Sequence, residues 1–244
     1  MSGHSKWHSI KHKKGAADAK RGKEFTKLGN TIAIAAREGA DPEINFRLRL
    51  AIDKARAANM PNANIEKAIA RGSGQLEGEQ IQEITYEGYG PSGIAVIVEV
   101  ATDNKNRAYS DVKAVFSKHG GNMGEPGSVA YQFDRRGIVV VATEEVGKDE
   151  ATLAAIDAGA IDVEEGEDII TVYTDPKELA KVTKTLGEDF KIQSSELGYV
   201  PQNTIMLEDK STAQKAINLL SALEELDDVA STYSNFDIAD DIEI

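Results

Sequence analysis

Apolar residues in the first third of the chain recur at helical spacing. Phe25, Leu28, Ile32 and Ala35 fall three and four apart, one face of a helix that begins near Ala16 and stops at Gly39. Asp41-Pro42 predicts a second helix, with the aspartate as N-cap and proline in the first position. Leu48, Ala51, Ile52 and Ala55 form its inward stripe. Pro61-Asn62 opens a third helix with Ile65, Ala68 and Ile69 inward and Gly72 at its end. Three short helices joined by short links predict a small bundle.

The periodicity changes after the polar, Gly-rich stretch Gly72 to Gln80 (GSGQLEGEQ), the best linker candidate. Ile94 to Val100 (IAVIVEV) reads as a strand, Asn104 to His119 as a helix, and Val129 to Phe133 as a second strand. Ile138 to Ala142 then opens a full β-α-β-β-α-β series that ends near Leu197, with a turn at Glu165-Gly166. Past Pro201 the pattern is strand, helix, strand. Half a sandwich leaves a sheet face exposed, so the two flanking halves are expected to pair around the middle series. The expected fold class is α+β: an N-terminal three-helix bundle followed by two ferredoxin-like α/β domains, one inserted in the other. The expected boundaries are 1–77 for the basic arm and bundle, 81–133 plus 199–244 for the discontinuous domain, and 134–198 for the insert.

Composition narrows the function classes. The 244 residues include no cysteine, which excludes disulfides, thiol nucleophiles and thiolate zinc sites. No apolar run approaches the roughly 18 residues that span a bilayer. No apolar segment follows the basic start, so neither a membrane nor a signal peptide is expected, and a cytoplasmic location is.

Charge changes the picture more. The net charge is -13, yet residues 1–71 sum to +8 and the remainder to -21. Cations crowd the start, GHSKWHSIKHKKGAADAKRGK, around the chain's one tryptophan. Such a division predicts two surfaces with different partners. The arm (Lys6, Trp7, Lys11, His12, Lys13, Lys14) and the bundle (Lys20, Arg21, Lys23, Lys27, Arg47, Arg49, Arg56) are the candidate phosphate-binding residues, since each cation that meets a phosphate releases a counterion. Lys105 and Arg107 extend the candidate surface; Lys113, Lys118, Arg135 and Arg136 complete a lesser basic group. Trp7 suits base stacking or insertion into a groove. The acid-rich remainder is expected to face away from phosphates or to dock on a basic protein.

Other motifs carry less. GYGPSG (Gly88 to Gly93) matches G-x-G-x-x-G, but a strand follows it where the dinucleotide fingerprint needs a helix, so a turn is expected. His4, His8 and His12 are four apart, but neighbouring lysines repel a cation, and no metal is expected. No spacing marks a nucleophile or a triad, so neither catalysis nor a cofactor is expected.

Several long motifs in order closely resemble the YebC family: GHSKW, IKHKK, DAKRGKEFTKL, RLRLAIDKARAANMP, YEGYGPSG, TDNKNR and GSVAYQFDRRG. The likeness spans essentially the whole chain and is weakest over 140–198; His8 and Phe46 stand where the family more often has Ala and Pro. The resemblance implies a helical bundle, two α/β domains and a bacterial cytosolic setting. Members of the family are described as DNA-binding transcriptional regulators. Mitochondrial relatives are described as translational activators, and some bacterial ones as ribosome-associated factors that relieve stalls. DNA and ribosomal RNA are therefore both implied as partners, with DNA-dependent transcription regulation the first reading.

Overall fold

The computed structural model describes residues 18–76, 80–144, 147–166, 168–239 and 241–242, the first four by backbone alone. Helix α1 (Asp18–Ala36) owes its place to an apolar run at its end, Ile32 to Ala36, in which every side chain is buried. A helix segment that is apolar all round has to be covered on more than one side. Leu28, Ile32 and Ala35 pack against Leu48, Ile52 and Ala55 of α2 (Phe46–Ala57) and Ile65 and Ala68 of α3 (Asn62–Gly72). Ala33 and Ile34 instead pack against Ile81 and Ala101, beside the sheet that follows.

Two local features fix this bundle. The second helix does not start at Asp41-Pro42. Asp41 makes a tight turn by accepting the Glu43 amide, and the N-cap is Asn45, whose Oδ1 accepts from the Leu48 amide at 3.0 Å. Its Nδ2 donates to the carbonyls of Ala35 and Gly39, both at 2.7 Å, so one side chain caps α2 and closes the end of α1. Gly72 ends α3 as its spacing implies, and it has a packing role as well. A Cβ at this position would overlap the Ala33 carbonyl, with the Ala33 carbon only 2.7 Å away. The backbones of α1 and α3 touch there, and only glycine permits it.

The chain divides into two compact units, one holding residues 133–202 and the other the described residues on either side of it. In the larger unit β1 (Gln82–Tyr89) and β2 (Ala95–Thr102) form the middle of a four-stranded sheet, with β3 (Asn122–Met123) beside β1 and β9 (Val229–Ser234) beside β2. Strands β1 and β2 are antiparallel, joined by the turn at Pro91–Gly93 that GYGPSG was expected to form. Ile94 to Val98 are wholly buried, as a strand covered on both faces should be. Helix α4 (Lys105–Lys118) and the two-residue β3 (Asn122–Met123) follow.

The strand expected at Val129 to Phe133 is absent as such. Ala130–Gln132 is a short 3-10 turn, because the buried Glu87 carboxylate takes the amides that a strand would pair. It accepts from Gly127 (2.6 Å), Val129 (2.7 Å) and Ala130 (2.8 Å). After the smaller unit the chain adds β8 (Ile205–Leu207), α7 (Lys210–Glu224), β9 (Val229–Ser234) and β10 (Phe236–Ile238). Strand β9 joins β2, while β10 pairs in parallel with β8.

The smaller unit contains β4 (Phe133–Ala142), α5 (Lys148–Ala158), β5 (Asp162–Glu165), β6 (Ile169–Thr174), α6 (Leu179–Asp189) and β7 (Ile192–Pro201). Its antiparallel sheet runs β5-β6-β4-β7, which is the ferredoxin-like order. The molecule is thus α+β, with N-terminal helices followed by sheet-containing units.

Gly72→Ala should destabilise by about 3 kcal/mol or more, since backbone must move to admit the methyl. Gly74→Ala, at a left-handed position in open space, should cost about 1 kcal/mol; urea midpoints of the two variants check the contrast. Asp209, the N-cap of α7, accepts from the hydroxyl and amide of Thr212, and these bonds hold its carboxyl below the usual range. That stabilisation is complete above the ordinary aspartate pKa of about 4 and is lost as pH falls through the lowered value. Asp209→Asn keeps a cap without the titration, so its thermal midpoint should fall less than the parent's in acid.

Candidate nucleic-acid interface

Helix α1 carries the first described cations. Lys6, Trp7, Lys11, His12, Lys13 and Lys14 lie outside the described residues. Lys20 and Arg21 stand in the first turns of α1, and their side chains also lie outside the description. Lys23 and Lys27, one turn apart, both meet the acidic turn between α7 and β9 (EELDD). Lys23 Nζ is 3.3 Å from Asp227, and Lys27 donates to the Glu224 carbonyl. Burial pushes the pKa of Lys27 down, against the pull of Glu224 and Asp227.

The start of α4 faces the same turn. Arg107 grips Asp228 with two bonds, Nε at 3.0 Å and Nη2 at 2.9 Å, and reaches Asp103 at 3.0 Å. Arg71, from the end of α3, lies 3.5 Å from Asp103. These groups border a groove of about 450 Å³ whose lining includes Lys23, Asn30, Arg71, Asp103, Arg107 and Asp228. The groove is mixed in sign, because three cations are matched by carboxylates.

The cations of α2 are also engaged. Arg47 pairs with Glu38 at 3.1 Å and with Glu83 at the start of β1. Arg49 donates to the carbonyls of Pro42 (2.9 Å) and Glu43 (2.8 Å), bracing the turn before the helix. Arg56 makes a loose 3.9 Å contact with Asp53, with both side chains exposed. Lys105 is exposed at the start of α4.

The structure therefore brings Lys23, Lys27 and Arg107 together on one acidic turn and leaves Arg49 and Arg56 apart from it. Sequence reasoning missed the acid partners, which are far away in the chain. It also missed Tyr109, which is 42% exposed on α4. Its ring centroid lies 5.9 Å from that of Tyr86 at 71°, and Lys113 Nζ sits 5.6 Å from its centre. An exposed tyrosine at the spacing Lys105, Tyr109, Lys113 was the available signal. Among the described residues no group of three or more His, Asp or Glu side chains is arranged to hold a metal ion, and no helix is long and apolar enough to cross a membrane.

A fork on two carboxylates is a poor phosphate ligand, so Arg107 should act chiefly in stability. Arg107→Lys keeps the charge and loses the fork. It should lower the thermal midpoint by about 2–4 °C while changing affinity for a short DNA duplex less than twofold. A tenfold loss of affinity at an unchanged midpoint would show the opposite role.

Comparison with known proteins covers nearly the whole chain. Residues 5–75 match the TACO1/YebC protein N-terminal domain, and residues 81–236 match the TACO1/YebC second and third domain. A relative in Rubrobacter xylanophilus named "Probable transcriptional regulatory protein" is 53% identical over 99% of this chain and 98% of its own. One of the same name in Halothermothrix orenii is 50% identical over 99% of this chain and 97% of its own. The crystal structure of a conserved hypothetical protein from Aquifex aeolicus superposes with a TM-score of 0.90 at 49% identity, covering 98% of this chain and 99% of that one. With both family domains matched in order and half the residues shared with full-length relatives, the chain belongs to the TACO1/YebC family.

Proposed function

We propose that this protein is a non-enzymatic, DNA-binding regulator of transcription in the cytoplasm, which grips the phosphate backbone through its basic N-terminal region. The observation that carries the reading is the division of charge: residues 1–71 sum to +8 in a protein of net -13. The relatives named as probable transcriptional regulatory proteins support it. The arm residues Lys6, Trp7, Lys11, His12, Lys13 and Lys14, with Lys20 and Arg21, supply the main contacts. Lys23, Lys27, Arg47, Arg49, Arg56, Lys105 and Arg107 add to the field, and those already paired to carboxylates add least. The acid-rich remainder faces away from phosphates or docks on a basic protein.

A second reading, a translation factor bound to ribosomal RNA, is favoured by one observation. Arg47 and Arg49 on α2 are turned to the protein's own acids and carbonyls. Two of the three arginine forks on that helix are thus occupied, which limits base-pair reading and suits recognition by shape and backbone.

If about five phosphates are neutralised, the log of affinity for duplex DNA should fall with log salt at a slope near -4.5. Reversing Lys11, Lys13 and Lys14 to Glu should flatten that slope by more than half. A salt-independent affinity would contradict the proposal. Sedimentation of the protein with ribosomes, lost in the same triple variant, would select ribosomal RNA over promoter DNA.

A further inference from the structure

We propose that the outer side of α4 is a stacking platform for single-stranded nucleic acid, with Tyr109 holding a base and Lys105 and Lys113 holding phosphates. The inference rests on the nucleic-acid reading above and adds the site and the form of the polymer. Residues 105, 109 and 113 are successive i,i+4 neighbours. They span about 12 Å along the helix at 1.5 Å per residue.

The ring is held before any ligand arrives. Tyr86 is buried beneath it in an edge contact, and the Tyr86 hydroxyl donates to the Lys105 carbonyl at 3.4 Å. A fixed ring loses little freedom on binding. Lys113 lies over Tyr109 as a placeholder. An exposed cation–π contact is worth about 0.5–1 kcal/mol, whereas a base on an aromatic ring is worth about 1–3. A base therefore displaces the ammonium, which is then free to meet the adjoining phosphate.

Charge favours a polyanion here. Asn106, Ser110, Lys113 and Ser117 occupy the exposed side next to Tyr109, and none is acidic. The one acid of the helix, Asp111, lies on the other side, lining the groove with Arg107. Lys105 and Lys113 belong to no ion pair among the described residues, in contrast to Lys23, Arg47, Arg71 and Arg107. Single strands are selected because duplex bases already stack on one another, and a ring on a convex helix reaches them only after they unstack.

Fluorescence anisotropy of the full chain with labelled oligo(dT), oligo(U) and a duplex of matched length tests this. Tyr109→Ala should weaken a single strand by about 5- to 100-fold and the duplex by less than twofold. Tyr109→Phe should bind as the parent does. Tyr109→Leu, which keeps apolar contact with Tyr86 if alanine unsettles the fold, should lose binding as alanine does. Lys113→Gln should reduce the single-strand salt slope by about 0.7. If the parent binds none of the probes, the nucleic-acid reading itself fails. If reversing Lys11, Lys13 and Lys14 weakens binding while Tyr109→Ala and Tyr109→Leu do not, the platform alone is overturned. Equal loss on duplex and single strand would overturn stacking.

Discussion

The close crossing of α1 and α3 at Ala33 and Gly72 governs the larger unit. At that point α1 is buried on both sides, so it cannot shift without uncovering one core or the other. Ile32 and Ala35 face the bundle, and Ala33 and Ile34 face Ile81 and Ala101. Fully burying an isoleucine is worth about 1.5–3 kcal/mol, and α1 commits two of them in opposite directions within three residues. Helix α1 is thereby shared by two apolar clusters, the bundle's core and a smaller one against Ile81 and Ala101. Asn30 adds a bond from α1 to the Ala101 carbonyl at 3.1 Å.

That packing turns the charge pattern of the chain back on itself. The cations of α1 and α4 and the acids of residues 224–228 are far apart in sequence but share one groove. Lys23, Arg71 and Arg107 are consequently partners of carboxylates. Exposed pairs such as Lys23–Asp227 and Arg71–Asp103 contribute little stability singly, whereas the two-bonded Arg107 fork on the largely buried Asp228 contributes more. Their larger effect is to remove those cations from the set available to an external polyanion. What remains available in the described residues is narrower than the sequence total implies, and α4 beside Tyr109 is its clearest part.

The elements that sequence made legible are those set by local periodicity. The stripe of Leu48, Ala51, Ile52 and Ala55 is buried as its spacing implies, and IAVIVEV is a strand. What stayed hidden depends on distant partners. Asp41-Pro42 has every local mark of a helix start, but Asn45 caps the helix because its amide also reaches the end of α1. The apolar run at Val129 to Phe133 looks like a strand until Glu87, some forty residues earlier, takes its amides. The candidate interface suffers most, since a basic residue looks the same in sequence whether a carboxylate or solvent awaits it. Arg107 and Asp228 are 121 residues apart.

The smaller unit begins and ends on neighbouring strands. Phe133 sits opposite Pro201 in the pairing of β4 with β7. Opposed antiparallel residues lie only about 5 Å apart. Once this unit folds, its seventy-odd residues behave as a short rigid bridge between the two lengths of chain that flank it. The search that brings β9 to β2 then runs over roughly half the contour it would otherwise have, easing closure by about 0.6 kcal/mol. The order of synthesis reinforces this effect, because β9 emerges only after the insert is complete. Folded ahead of β9, the inserted unit shortens the loop that its host has to close.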